Sequence, residues 1–136
     1  MTDERLVEEA RRATGLSYSP YSRFAVGAAV LLENGEVVRG ANQENASYPV
    51  GICAERTALA TAQNLYPGVA VVALALAARN AEGLLTEDVV TPCGMCRQAI
   101  AECEKRYGRS IRIIMSSRTE TMAAESIKEL LPMAFM

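Results

Sequence analysis

The chain has 136 residues, of which 50% are apolar and 22% are charged, a composition typical of one globular domain and not of a disordered segment. Its net charge is -2 and its 14 basic residues are scattered, which disfavours a nucleic-acid partner because phosphate groups require clustered Lys and Arg. The sequence contains no histidine, and this excludes Ser–His, Cys–His and His–metal chemistry.

The hydrophobic pattern predicts nine elements in the order α-β-β-α-β-α-β-β-α. Helices are predicted over residues 3–14, 54–64 and 93–107, with a short capping-box helix from 126, and strands over residues 25–32, 36–42, 68–78, 111–116 and 121–124. Asn34-Gly35 favours a hairpin, and the almost wholly apolar segment 68–78 indicates a strand buried on both faces. A helical crossover should make this strand parallel to the one at 111–116. We therefore expect an α/β fold, a three-layer α/β/α sandwich with a mixed five-stranded sheet.

The N-terminal residues and the apolar segments of the sequence show no targeting or membrane signal. The N-terminus is acidic and lacks the apolar stretch of a secretory signal, and no uncharged apolar run approaches the roughly 18 residues of a membrane span. We expect a single domain over residues 1–136 in the cytoplasm, without a membrane partner. In that compartment clustered cysteines bind metals or catalyse reactions more often than they form disulfides.

The cysteines supply the first chemical signal. Cys93-Gly94-Met95-Cys96 is a C-x-x-C motif at a strand-to-helix junction, which fits either a thioredoxin-like redox pair or half of a metal site. Cys53 also lies directly before a predicted helix, and this favours the metal. Three thiolates near helix N-termini suit Zn²⁺ and leave its fourth position open to water, as in catalytic zinc sites.

Cys103 is not expected to be a fourth ligand. It lies seven residues after Cys96 in the same predicted helix, a rise of about 10.5 Å. Two sulfurs on one zinc ion lie within about 4.6 Å of each other, which is twice the Zn–S bond length. We therefore interpret Cys103 as a small buried apolar residue and predict one zinc ion per chain.

Two neighbours of Cys53 complete the candidate site. Glu55 is either an ordinary first-turn helix glutamate or, in a chain without histidine, the general acid/base of the site. Zinc with three thiolates carries a net negative charge and should acidify water poorly unless charge is drawn from the sulfurs. Arg56 is the candidate for that task, and its alternative interpretation is a surface arginine.

These motifs resemble a known family. Cys53-Ala54-Glu55 followed by Pro92-Cys93-Gly94-Met95-Cys96 resembles the C-x-E…P-C-x-x-C pattern of zinc-dependent nucleoside deaminases. The likeness extends to residues 20–29, 42–48, 97–98 and 130–132, and it is to the short, homotetrameric cytidine deaminases. It implies a cytidine deaminase-like fold and hydrolysis of cytidine and deoxycytidine to uridine and deoxyuridine with release of ammonia, a reaction of pyrimidine salvage.

The resemblance also implies roles for individual residues. Glu55 would move protons between water, N3 of the base and the leaving amine, while Arg56, positioned by Gln98, would compensate the thiolate charge. The implied substrate-binding residues are Asn42 and Glu44 for the ribose, Phe24 and the Ala54 backbone N–H for the base, and Tyr48 and Phe135 from neighbouring subunits. From the residues alone, Asn42 and Glu44 could also be turn residues and Phe24 could be core packing.

Two features bear on assembly and on rival functions. Phe135 lies in an uncharged apolar tail over residues 130–136, which predicts burial at a subunit interface. The rival functions are an aminonucleoside deaminase of the blasticidin type, which shares the zinc motif, and a non-catalytic zinc-stabilised binding protein. Phe24 and the Asn42/Glu44 pair favour cytidine over the first, and Glu55 beside an open zinc position argues against the second.

Overall fold

The computed structural model describes all 136 residues and contains three α-helices and five β-strands. In chain order these are α1 (Asp3–Ala13), β1 (Ala25–Leu32), β2 (Val37–Ala41), α2 (Ala54–Leu65), β3 (Val71–Arg79), α3 (Gly94–Tyr107), β4 (Arg112–Ser116) and β5 (Thr121–Ala124). Each predicted helix and strand of this set is confirmed, with ends that differ by a few residues. None of the helices combines the length and the apolar character needed to cross a bilayer.

The ninth predicted element is shorter than expected. The capping-box segment forms a single 3₁₀ turn, Ile127–Glu129, in which the Ser126 side chain accepts a hydrogen bond from the backbone of Lys128. The prediction of a helix here was wrong in type, because too few residues separate Ser126 from Pro132 for an α-helix to propagate.

The five strands form one mixed sheet in the order β2-β1-β3-β4-β5. Strand β1 pairs antiparallel with both β2 and β3, and β5 pairs antiparallel with β4. Strands β3 and β4 are parallel, as expected for two strands joined through the intervening helix α3. The predicted mixed five-stranded sheet is confirmed.

Helices cover both faces of the sheet. Alternate residues of β1 point to opposite sides, so that Ala28 and Val30 belong to the apolar cluster that includes α2 and α3. Ala29 belongs to a second cluster, which contains Leu6 and Ala10 of α1. The predicted three-layer α/β/α sandwich is confirmed, and it brings the N-termini of α2 and α3 to one side of the sheet.

A glycine sets the distance between α2 and the sheet. A Cβ atom on Gly40 of β2 would lie 2.4 Å from the backbone nitrogen of Ala58 in α2, a separation that real atoms do not adopt. Because Cys53 caps α2 and Glu55 lies in its first turn, the close approach at Gly40 determines where these two side chains sit.

We therefore expect Gly40→Ala to destabilise the fold by about 1–3 kcal/mol, since the added methyl group pushes α2 away from β2. Chemical denaturation measures this change, and Gly15→Ala is the matched control. Gly15 has no atom within 4 Å of the added methyl group, so its substitution should change stability by no more than about 0.5 kcal/mol. Equal stability of the two variants would contradict this packing.

Candidate metal centre and substrate pocket

Three cysteines meet where the two helices begin. Cys53 caps α2, Cys93 caps α3, and Cys96 lies in the first turn of α3. Their sulfur atoms all lie within 4.8 Å of one another, and the Cys53 and Cys93 sulfurs are 4.0 Å apart. All three thiols are free; Cys96 is buried, Cys53 is partly buried and Cys93 is exposed.

This cluster fits a zinc ion in both spacing and chemistry. The separation of the sulfurs is close to the maximum of about 4.6 Å for two thiolates on one ion, so a small contraction would bring them into bonding range. Thiolates are among the preferred ligands of zinc, and three of them leave one position open. Cys103 lies outside the cluster and packs against the main apolar core, as its interpretation as an apolar residue predicted.

The thiols differ in how readily they ionise. Burial raises the pKa of Cys53 and that of Cys96, and the neighbouring negative charges raise both further. Burial also opposes ionisation of Cys93, but hydrogen bonds from the backbone N–H and the thiol of Cys96 outweigh it and lower the pKa of Cys93. Cys93, the most exposed of the three cysteines, is therefore the one that ionises most readily in the metal-free protein.

Glu55 is a buried carboxylic acid beside these sulfurs. Only 5% of its surface is exposed, and burial raises its pKa, opposed only in part by a backbone N–H, by Cys96 and by Arg56. A carboxyl group that holds its proton closer to neutral pH is what general acid/base chemistry requires. The structure thus places the predicted acid/base candidate next to the predicted metal ligands.

Arg56 lies on the same turn of α2. Its Nε atom is buried and has no hydrogen-bond partner within the chain. Burial opposes its charge, but interactions with Cys53 and Cys96 outweigh that cost and raise the pKa of Arg56. The positively charged guanidinium of Arg56 therefore lies close to the thiols of Cys53 and Cys96.

A second group of predicted residues surrounds the Phe24 backbone. Asn42 donates from Nδ2 to the carbonyl oxygen of Phe24 at 2.9 Å and accepts from the backbone of Val26 at 3.0 Å. Two backbone hydrogen bonds between Gln43 and Ile52, of 2.9 and 3.0 Å, join this segment to the residue before Cys53. The loop that carries Asn42 is thereby fixed to the loop that carries the first thiol.

Glu44 lines a cavity of about 390 Å³ together with Tyr21, Ser22, Asn45, Tyr48 and Gly51. One oxygen of its carboxylate accepts hydrogen bonds from the backbone of Tyr21 at 2.9 Å and of Ser22 at 3.1 Å, and the other accepts from the Ser22 hydroxyl. The hydroxyl bond is the main cause that lowers the pKa of Glu44. An ionised, partly exposed carboxylate therefore faces a cavity of a size that suits a small ligand.

Comparison with known proteins decides the family. Residues 1–108 match the cytidine and deoxycytidylate deaminase zinc-binding region, which includes all three clustered cysteines. The chain belongs to this deaminase family. Membership resolves the ambiguity of the C-x-x-C motif in favour of a metal site.

Full-length relatives support the family assignment. The chain is 42% identical to a cytidine deaminase of Halalkalibacterium halodurans, with 99% of this chain and 95% of that protein covered. It is 39% identical to a cytidine deaminase of Sporosarcina psychrophila, with coverage of 99% and 92%. The crystal structure of a cytidine deaminase from Burkholderia pseudomallei superimposes with a TM-score of 0.85 at 36% identity, covering 99% of this chain and all of that one (100%).

The structure does not bring every predicted residue of this deaminase to one place. Ala54 is buried at the start of α2, next to the thiols. Tyr48 is 75% exposed and contacts Tyr21 edge to face, with 6.0 Å between the ring centres. Phe135 is 87% exposed on the C-terminal tail, whose backbone carbonyl at Phe135 accepts a hydrogen bond from Gln98 at 2.6 Å. Within one chain, therefore, Gln98 holds the tail and forms no hydrogen bond with Arg56.

Arg97 lies in a segment that resembles the deaminase family, but sequence reasoning assigned it no role. Its guanidinium donates to the carbonyl oxygen of Pro92 and to that of Leu130, both at 2.7 Å. Arg97 therefore joins the residue before Cys93 to the beginning of the tail. The available signal was its position four residues after Cys93, which places both residues on one side of the helix start.

Proposed function

We propose that this chain is a zinc-dependent cytidine deaminase, a single domain over residues 1–136 that hydrolyses cytidine and deoxycytidine to uridine and deoxyuridine with release of ammonia. The observation that carries the proposal is the buried Glu55 beside three clustered thiols, in a chain 42% identical to a cytidine deaminase along almost its full length. Such a reaction belongs to pyrimidine salvage.

In the proposed reaction water is activated at the metal and Glu55 transfers the protons. Cys53, Cys93 and Cys96 would hold the zinc ion, which would supply a nucleophile near neutral pH by lowering the pKa of water. Glu55 accepts the proton that the water loses and delivers it to N3 of the base, which makes C4 electrophilic. After the hydroxyl group has added to C4, Glu55 takes the remaining proton of that hydroxyl and passes it to the amine as the C4–N bond breaks, a sequence that a carboxyl group with a raised pKa can perform.

Two neighbouring groups support this chemistry. Arg56 draws negative charge from the sulfurs through its interactions with Cys53 and Cys96, which would offset the net negative charge of a three-thiolate zinc site. The backbone N–H of Ala54 binds the carbonyl oxygen of the base, because the first N–H groups of a helix have no partner within it.

The remaining pocket residues bind the nucleoside. Asn42 and Glu44 take the ribose hydroxyl groups, since an amide and an ionised carboxylate both accept hydrogen bonds from O–H groups. Phe24 stacks on the pyrimidine ring. Gln98 positions the C-terminal tail through its hydrogen bond to the carbonyl oxygen of Phe135. It does not contact Arg56 through a hydrogen bond.

We also propose a cytoplasmic homotetramer in which neighbouring chains share sites. Tyr48 and Phe135 are 75% and 87% exposed in the single chain, which supports their burial against other subunits. The free state of all four cysteines supports a reducing compartment.

Shared sites predict complementation between an inactive chain and an impaired one. Phe135→Ala should lower kcat/KM for cytidine about tenfold or more, because an aromatic wall over the base is lost. When Phe135→Ala chains are refolded together with Glu55→Gln chains, hybrid oligomers should regain activity, since an intact Glu55 then meets an intact Phe135 from a neighbour. Absence of recovery in hybrids verified by light scattering, or full activity in a monomer, would rule out shared sites.

The proposed activity is tested by incubating the purified zinc-loaded protein with cytidine, deoxycytidine or blasticidin S and following the ultraviolet absorbance. We expect the absorbance of both pyrimidine nucleosides to fall as uridine products and ammonia form. Turnover of blasticidin S alone would instead identify an aminonucleoside deaminase, and no turnover of any of the three would leave a zinc-stabilised binding protein.

A further inference from the structure

Ser22 lies at the centre of a hydrogen-bond network between two proposed substrate-binding residues. Its hydroxyl donates to one carboxylate oxygen of Glu44 and accepts the backbone N–H of Phe24 at 3.1 Å. A serine hydroxyl has one donor and two acceptor positions, so both bonds can exist at the same time. Ser22 therefore connects the carboxylate at the sugar end of the pocket to the backbone that carries the aromatic ring.

The opposite side of the Phe24 backbone is held as well. Asn42 donates to the carbonyl oxygen of Phe24 at 2.9 Å. The N–H and the C=O of this one residue are thus bound, directly or through Ser22, by the two side chains that we propose for the ribose. The orientation of the Phe24 ring and the placement of the sugar-binding groups are therefore parts of one structural unit.

These bonds also hold the local shape of the turn before Phe24. Arg23 has φ of 57° and is the sole residue other than glycine with a positive φ in the chain, a conformation that costs about 1 kcal/mol for a residue with a Cβ atom. It persists because Arg23 donates its backbone N–H to Ser19 at 2.9 Å, and because Glu44 and Ser22 hold the residues on either side of it.

We infer that Ser22 is a positioning residue for the proposed deaminase reaction: it couples Glu44 to Phe24, so that sugar recognition and base stacking are set together. The inference rests on the proposed function, which supplies the roles of Glu44 and Phe24. Ser22 and Phe24 are exposed in the free chain and Glu44 is partly exposed, so the loss of these hydrogen bonds should cost the whole fold little stability. Their effect should therefore appear when the nucleoside binds, in KM, and not in the thermal stability of the protein.

The test measures cytidine kinetics and melting temperature for Ser22→Ala, Ser22→Thr and the control Ser47→Ala. Ser47 is an exposed serine of the neighbouring loop whose side chain forms no hydrogen bond. Ser22→Ala should raise KM about three- to tenfold, the effect of one lost hydrogen bond in a bound state, with kcat changed by less than about twofold. Ser22→Thr keeps the hydroxyl group and should restore KM, while Ser47→Ala should match the wild type.

A double substitution checks that Ser22 acts through Phe24. In a Phe24→Ala background, Ser22→Ala should raise KM by much less than it does in the wild type, because there is no ring left to orient. The inference would be overturned if Ser22→Ala left KM unchanged, or if it raised KM as much in the Phe24→Ala background as in the wild type. It would also be overturned if Ser22→Ala lowered both kcat and the melting temperature. Absence of cytidine turnover by the wild type is a different result, since it would overturn the proposed function and with it this inference.

Discussion

Glu55→Gln is expected to retain zinc and the fold while losing deamination by about 10²- to 10⁴-fold or more in kcat. A glutamine side chain has nearly the same shape as glutamate, so it fits the buried position beside the thiols, but it cannot carry a proton. General acid/base groups contribute about 10²–10⁴-fold to rates, and Glu55 would serve several transfers in the proposed cycle. Zinc content, circular dichroism and steady-state kinetics on the same sample measure the three properties.

Glu102→Gln is the matched control for this experiment. Glu102 lies on the exposed side of α3 and forms no hydrogen bond or ion pair, so its neutralisation should leave kcat within about twofold of the wild type. If zinc-loaded Glu55→Gln turned cytidine over at a rate near that of Glu102→Gln, Glu55 could not be the proton carrier.

Cys93→Ala is expected to release the metal, whereas Cys103→Ala should keep it. Removing one of three thiolates should lower zinc affinity by more than about 100-fold, because even losses outside the direct ligands cost about 10–100-fold. Cys103 packs against the core away from the other sulfurs, and burial raises its pKa to about 11, so it remains a neutral thiol. Elemental analysis after dialysis against a weak chelator measures the retained zinc.

The two cysteine variants also separate metal loss from general destabilisation. Cys103→Ala removes a partly buried side chain and should cost about 1 kcal/mol of stability without loss of zinc. Similar zinc loss from both variants would mean that the ligand set is wrong. Retention of zinc by both would place the metal elsewhere in the chain.

Much of the fold could be predicted because its signals are local. The Asn34-Gly35 turn, the apolar stretch that became β3 and the Gly108 that ends α3 with φ of 59° each act within a few residues. The strand order could not be predicted in the same way. The antiparallel contact of β1 with β3 joins segments separated by a whole helix, and its register depends on packing across the sheet.

In the candidate site, too, local features could be predicted from the sequence and contacts between distant loops could not. The three thiols could be expected to meet because the motif places each of them at a helix start, and the structure brings their sulfurs within 4.8 Å. Sequence offered no sign that Gln98 would bind the tail at Phe135 or that Ser22 would lie between Glu44 and Phe24. Such contacts arise only when separate loops meet, and a sequence pattern carries no information on which loops do.

The most direct test of zinc-dependent deamination measures zinc content and cytidine turnover on one preparation, before chelation, after it and after zinc is returned. We expect about one zinc ion per chain at the start, loss of turnover in proportion to the zinc removed, and recovery when one equivalent is added back. Turnover that persists after the zinc has gone, or a zinc-replete protein that leaves cytidine unchanged, would contradict the proposed function.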